Sequence, residues 1–390
     1  MERTIDTSIQ KVYVRALDSY EQNAVEQVLF PLLDGMLADN GIEKTTLVGK
    51  TVVLKPNLVA KREPDAGITT HPAFIEACGR YFVALGAKAV IADSPGGIYN
   101  LPAMEGIYTE TGMRSASLAS GAQLNKDMTS QDVRREEFSV HSFHLLTPLV
   151  EADLIVNLCR LKTHALCEIS AAVKNLFGSI PGLMKAEQHA RFPKRLDFAD
   201  MLCNLCLVNA PQLNITDGVF GMEGNGPTGG TLKKVGVVLA SANPFASDLA
   251  AAYIMGYAPE EVGTIVCAQK RSLCPQTIEE LVIDGDALSR FRSRFRRPDA
   301  NAGGLLKQLP TIFGGGLQHL LEPRPTVNKK RCIGCGACMR VCPMHTIEVT
   351  DKKAHIHADA CIKCYCCQEF CPEKVIQVKH LLSWSHFKKK

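Results

Sequence analysis

Residues 332–343 read CIGCGACMRVCP and residues 361–372 read CIKCYCCQEFCP, two copies of the spacing C-x2-C-x2-C-x3-C-P set 29 residues apart. In such a pair, three thiolates of each run hold corners of one [4Fe–4S] cube and the fourth crosses to the other cube. One cluster is therefore assigned to Cys332, Cys335, Cys338 and Cys371, and a second to Cys361, Cys364, Cys367 and Cys342. The two-residue gaps let one tight turn aim three sulfurs inward, Gly334 and Gly336 relieve crowding there, and Pro343 and Pro372 lead the chain away. Zinc and disulfides are the competing readings, but structural zinc takes two separated ligand pairs, which four cysteines followed by proline do not provide. Cys366 fits no ligand position and reads as a bystander.

Outward from these runs, the chain has the make-up of a globular protein: 390 residues, 46% hydrophobic and 22% charged, enough for a large core with an appended module. The other seven cysteines, from Cys78 to Cys274, are scattered and odd in number, which argues against a disulfide framework. Cys203 and Cys206 fall within DFADMLCNLCLVNAP, an apolar helical stretch where they read as buried small side chains. The first residues, MERTIDTSIQKVYV, lack the basic and apolar regions of a signal peptide, and no apolar run is long enough to span a membrane. A reducing cytoplasm is the expected compartment.

Charge is unevenly spread. Residues 1–289 hold 25 Lys and Arg against 33 Asp and Glu, whereas residues 290–390 hold 19 against 7. Five arginines lie in RFRSRFRR, from Arg290 to Arg297, and the chain ends in Lys388, Lys389 and Lys390. Such asymmetry fits an anionic partner: an acidic electron carrier, a membrane surface or nucleic acid. The alternative is a solvated linker and tail docking on the acidic body.

The remaining sequence reads as α/β. Short β-branched runs alternate with helical patterns: KTVVLKPNLV, a helix from Pro72 to Leu85, AKAVIADSPGG, then ADLIVNLCRLKTH, QLNITDGVF and KKVGVVLAS. Continuous apolar runs suit strands buried on both faces of a mainly parallel or mixed sheet with flanking helices. The expected division is an α/β domain over 1–297, a connector over 298–326, a small α+β two-cluster ferredoxin-like domain over 327–380, and a basic tail over 381–390.

In open α/β sheets, ligands bind beyond the carboxyl ends of the strands. There the sequence places Lys55 and Asn57, Asp93 and Ser94, Asn157 with Lys162 and His164, Asp217, then Glu223 and Asn225. Singly each is an ordinary cap or turn former; as a set they point to one small-molecule site. Lys55, Lys162 and Lys174 suit a carboxylate or phosphate, and the asparagines, with Asn175, suit neutral groups. His164 and His189 are candidates for proton transfer, although KAEQHARFPKR also reads as a surface loop around His189. Asp93, Asp217 and Glu223 are candidate bases or metal ligands.

The stretches KPNLV, TTHP, DSPGG, NLCRLKTH, AVKNLFG, IPG followed by Lys185 and His189, and DGVFGMEGNGPTGG resemble the family catalogued as domain of unknown function 362. The resemblance covers about residues 50–250, and members with an appended two-cluster module resemble the whole chain. It implies an iron–sulfur protein with a redox role and no general reaction. Where the family pattern reads Asn-Leu-Pro-Lys, this chain has Asn157, Leu158, Cys159 and Arg160.

Gly224, Gly226 and Gly229 satisfy G-x-G-x-x-G, with Asp248 19 positions on, but Pro227 interrupts the motif and a β-rich run follows it. A dinucleotide site needs a helix there, so the glycines read as a turn or a ligand-hugging loop. Three functions remain: an oxidoreductase relaying single electrons to or from a small molecule, a non-catalytic electron-transfer subunit or maturation factor, and a nucleic-acid-associated iron–sulfur protein. Anaerobically prepared protein is expected to contain about eight iron and about eight sulfide ions per chain. Replacing Cys342 is expected to perturb only the second-run cluster; electron paramagnetic resonance showing loss confined to the first-run cluster would contradict the crossed ligation.

Overall fold

The β-branched runs upstream of the cysteine runs become strands, joined by shorter ones. In the computed structural model, which describes residues 3–301 and 323–379, these are β1 (Lys11–Ala16), β2 (Thr51–Lys55), β3 (Lys88–Ile91) and β4 (Gln123–Leu124). A side hairpin, β5 (Ser130–Arg134) and β6 (Ser142–Leu146), precedes β7 (Leu154–His164), β8 (Glu168–Ser170), β9 (Leu213–Glu223), β10 (Thr231–Ser241) and β11 (Val282–Gly285). Residues 302–322 of the expected connector and the expected tail, 381–390, lie outside the described residues.

The main sheet has nine strands in the order β11-β1-β10-β9-β7-β2-β3-β4, with β8 paired to β7. Neighbours from β9 to β4 through β7, β2 and β3 are parallel, whereas β10 runs antiparallel to both β9 and β1. The glycine-rich segment 224–230 is thus the loop of a β9–β10 hairpin and opens no helix. Along β10, Val237 and Leu239 enter one core and Val238 and Ala240 the other, the two-residue period of a pleated strand. Helices Arg195–Asn209 and Pro244–Met255 cover the first face; Gln22–Asp39 and Pro72–Ala84 cover the second. Cys203 and Cys206 are buried in the first of these.

Local chemistry sets the helix starts near the strand ends. Asn243 Oδ1 accepts from the amides of Phe245 (2.9 Å) and Ala246 (3.4 Å), ahead of Pro244 at the first helical position. Asp248, from that helix, accepts from the amides of Ala172 (2.6 Å) and Val173 (3.3 Å) and so fixes the short helix Ala172–Asn175. Segment 184–191, whose surface-loop reading is corrected here, is the helix Met184–Arg191, and its His189 is buried. The His189 ring stacks 4.3 Å from Phe198 and meets Phe177 edge-on, so an apolar neighbour holds it inside.

Strand β7 is buried at all eleven positions although it carries Asn157, Arg160, Lys162 and His164. Arg160 Nη1 donates to Asp217 Oδ2 (2.9 Å) and to the Thr69 carbonyl (3.2 Å), and Nε donates to the Phe220 carbonyl (3.0 Å). Asp217 also accepts from Tyr20 Oη (2.9 Å) and the His71 amide (3.2 Å). Burial pushes the Asp217 carboxyl up, and Arg160 opposes that rise.

Residues 323–379 form two small antiparallel pairs, β12 (Arg324–Val327) with β15 (Ile376–Lys379) and β13 (Ile347–Thr350) with β14 (Lys353–Ile356). Short helices Ala337–Arg340 and Cys366–Glu369 occupy equivalent places in the two cysteine runs. The second run packs on the strand-end edge of the main sheet. Arg62 Nη2 donates to the Pro372 carbonyl (3.1 Å) and Thr228 Oγ1 to that of Glu369 (3.1 Å). The Phe370 ring lies so close to Gly96 that a Cβ there would stand 1.7 Å from Cζ. Among the described residues, no helix is long and apolar enough to cross a membrane.

Removing one partner of a buried ion pair leaves an uncompensated charge, which costs about 3–5 kcal/mol. Arg160→Met is therefore expected to lower the unfolding free energy by about that amount, with partial recovery in Arg160→Met/Asp217→Asn. A loss below about 1 kcal/mol in denaturant titration, the range of an exposed pair, would show that Asp217 is settled without Arg160.

Candidate functional site

Where β2, β3 and β7 end, buried side chains of both charges meet the second cysteine run. Lys55 Nζ donates to Asp93 Oδ1 at 2.7 Å, and both residues are buried. Asp93 Oδ2 accepts from the Leu58 amide (2.8 Å), so the pair ties the loop after β2 to the loop after β3. A Cβ on Gly178 would stand 2.0 Å from Asp93 Oδ1, so only glycine leaves room for this pair. Burial lowers the Lys55 pKa, with Asp93 acting against it.

Among the described residues no carboxylate forms an ion pair with Lys162, although the Glu369 carboxyl across the cavity acts to raise its pKa. Its Nζ donates to Asn57 Oδ1 (2.5 Å) and the Ile68 carbonyl (2.8 Å), and burial brings its pKa down to about 7, helped by Arg160 and Lys174. Lys185 Nζ donates to Ser94 Oγ (3.1 Å) and the Ile180 carbonyl (2.5 Å), and burial lowers it to about 7 as well. Lys174 Nζ sits 4.3 Å from the centre of the Phe177 ring. His164 Nδ1 accepts from the amides of Leu166 (3.1 Å) and Cys167 (3.2 Å), which leaves the proton on Nε2. That nitrogen lies 3.2 Å from Glu369 Oε1, in poor line for a hydrogen bond. Burial drives the His164 pKa well below its ordinary value, so the ring is neutral.

These groups border a cavity of about 80 Å³. Its body wall includes Asp93, Ser94, Lys162, His164, Lys174, Lys185 and His189; its other wall is Val341, Cys366, Glu369 and Phe370 of the cysteine runs. Three buried polar atoms of lining residues, Asn175 Oδ1 and His189 Nδ1 of the body and Glu369 Oε1 of the module, have no hydrogen-bond partner among the described residues. Such atoms are uncommon in settled interiors.

Of the six strand-end candidates, Asp93, Lys162 and His164 line this cavity and Lys55 stands behind Asp93. Asp217 and Glu223 are not in its lining, a correction to the expected single cluster. Asp217 is held by Arg160, and Glu223 Oε2 accepts from the Arg296 amide (3.0 Å) and faces Lys233 at 3.3 Å. Both lie on β9, whose register with β7 shifts between Arg160 and Lys162. Asn225 is likewise outside, bonded to Asp299 at 2.7 Å.

Sequence reasoning gave no role to Lys185, Glu369 or Phe370. The internal repeat carried a signal: the triplet Met339-Arg340-Val341 of the first run becomes Gln368-Glu369-Phe370 in the second. An exposed arginine is replaced by a carboxylate turned into the body.

Cys332, Cys335, Cys338 and Cys371 border a separate small cavity of about 20 Å³. Cys342, Cys361, Cys364 and Cys367 border another of about 20 Å³, together with Cys366. Amides of Ala354, Val375 and Thr346 donate to the sulfurs of Cys332, Cys371 and Cys342, each at 3.4 Å. Four thiols around each space, with amides aimed at sulfur, fit thiolate-held clusters. Cys366 borders both this second space and the lysine-lined cavity, so it forms part of the wall between them.

An α/β body bearing such a cysteine module defines an iron–sulfur protein, and a 4Fe-4S dicluster domain model matches residues 324–372. A second model, the domain of unknown function DUF362, matches residues 52–253, more than half of the chain, and the chain belongs to that family. The thylakoid-associated protein sll1697 of Synechocystis sp. is 29% identical over 286 residues, covering 71% of this chain and 87% of its own. The lactate racemase apoprotein from Thermoanaerobacterium thermosaccharolyticum is a distant structural relative, with 13% identity and a TM-score of 0.38 over 63% of this chain and 58% of that one.

The Lys162 pKa gives a signed test. Between about 7 and the ordinary 10.5 the folded chain holds fewer protons than the unfolded one, so Lys162 makes stability rise with pH across that window. Relative to wild type, Lys162→Met is expected to lose this rise, by up to about 1.4 kcal/mol per pH unit in unfolding measurements. Parallel stability profiles would show that Lys162 stays charged in the folded chain.

Proposed function

We propose that this chain is an oxidoreductase whose small anionic substrate occupies the cavity between the α/β body and the cysteine module. The observation that carries this reading is the double wall: the cations, with the orphaned Asn175 Oδ1 and His189 Nδ1, come from the body, and Cys366, Phe370 and Glu369, with its orphaned Oε1, come from the module. Two [4Fe–4S] clusters are assigned to the two sets of four cysteines, and when bound they supply or accept electrons one at a time. A reducing, cytoplasmic setting suits them, and the thylakoid-associated relative suggests an anionic membrane surface nearby.

Each remaining part is taken by the chain's own side chains. Lys162 and Lys185 stand near half-charge at neutral pH, so an entering carboxylate or phosphate draws a proton onto each and gains two fixed cations. Lys174 adds a third cation from the short helix that Asp248 anchors. His164 donates from Nε2 as a neutral ring; taking a proton at Nδ1 would break two amide hydrogen bonds, which suits it to orientation. Asn175 Oδ1 offers an acceptor to a substrate hydroxyl or amide. Lys55 and Asp93 hold the loops that shape the floor. Phe177 and Phe370 supply apolar wall that excludes water and strengthens these interactions.

The test is mass spectrometry of small anions released from full-length, anaerobically purified protein. Wild type is expected to release a stoichiometric anion that Lys162→Met/Lys185→Met lacks, and its affinity is expected to rise as pH falls through about 7, where Lys162 and Lys185 charge. Identical background from both proteins, with no anion binding, would favour the electron-transfer subunit over the enzyme.

A further inference from the structure

The two cysteine-bordered cavities differ in what surrounds them. The second lies against the body through Cys366, whereas the lining of the first comes, among the described residues, from residues 327–376. Cys335, on the first, is the one exposed cysteine of the sixteen. Beside it Ile333 is 57% exposed and Met339 41%, an apolar centre flanking a sulfur at the surface.

That centre is ringed by cations. Arg340 Nη1 donates to the Cys335 carbonyl (3.1 Å), Lys353 Nζ donates to the Cys332 carbonyl (2.7 Å), and the Lys352 backbone packs on Gly334. Lys329, Lys330 and Arg331 are exposed immediately before Cys332. From 329 to 353 the chain holds six Lys and Arg against two carboxylates, Glu348 and Asp351. Glu348 faces His357 at 3.3 Å. Glu373, also exposed, lines the same cavity, so the rim is mainly but not wholly cationic. A small apolar patch within a mainly cationic rim is the form of a transient docking surface, where charge steers encounter and a small contact permits release.

We propose that the surface around Cys335 docks an acidic one-electron carrier protein, which sits on this cationic rim with its cofactor edge against the exposed Cys335. An acidic carrier is favoured over a membrane because the apolar centre is small and lies beside a cysteine assigned to a cluster. The proposal rests on cluster binding and not on the anion cavity, and its test uses no substrate.

The probe is flavodoxin, a small acidic flavin protein, titrated calorimetrically into full-length anaerobic protein and, as hydroquinone, mixed with it in stopped flow. In the electron step the hydroquinone loses one electron to become the semiquinone, and the iron–sulfur absorbance of the chain bleaches by that one electron. Micromolar binding is expected, weakened about tenfold or more by high salt and by Lys330→Glu/Arg331→Glu/Lys352→Glu, with the bleaching rate falling in parallel. A net-neutral zwitterionic viologen is expected to reduce wild type and variant at equal rates. Binding unchanged by charge reversal would overturn the proposal, as would capture of anionic lipid vesicles without flavodoxin binding. Should the variant lose iron, the salt dependence of wild type decides, and salt-independent or absent flavodoxin binding overturns it.

Discussion

The structure depends on settling the polar side chains of one fully buried strand. β7 brings Asn157, Arg160, Lys162 and His164 into the centre of the molecule, and an unpaired buried charge there costs several kcal/mol. Each is settled differently. Asn157 Nδ2 donates to Asn214 Oδ1 (2.9 Å), Arg160 pairs with Asp217, and His164 is fixed by two amides. Lys162 finds only neutral acceptors and yields part of its charge. The strand thus grades from structural polar groups at its middle to one unsettled cation near its end, beside the cavity.

That gradient explains why Asp217 and Lys162 diverge although both looked alike as polar residues at strand ends. Alternation along a strand and the run of apolar residues are local properties, so the sheet, its flanking helices and the Lys55, Asp93 and Lys162 edge were legible. The antiparallel insertion of β10 was not, because pairing direction is set by a hairpin whose glycine-rich loop also mimics a nucleotide motif. His189 was legible only as one member of a charged-looking segment; its burial comes from Phe177 and Phe198, distant in sequence. Glu369 and Phe370 were hidden for a different reason. Their burial arises from packing between the module and the body, which no periodicity within either reports.

The near-repeat in the module makes the asymmetry visible once the packing is known. Arg340 at the first run keeps solvent and bonds the Cys335 carbonyl, while Glu369 at the matching place of the second run lies against His164. One end of the module is cationic and open; the other is fitted to a cavity lined by lysines. Cys366, with no place in the ligand spacing, stands in the wall between the second cysteine set and that cavity.

The central claim is that a body cavity and the second cysteine set share a wall. The most direct measurement is an anaerobic crystal structure of the full-length chain with anomalous maps at the iron edge. The account expects two iron peaks, one enclosed by Cys342, Cys361, Cys364 and Cys367 and separated by Cys366 from a cavity that contains Lys162. Iron inside the lysine cavity itself, or a module docked away from Gly96 and His164, would contradict it.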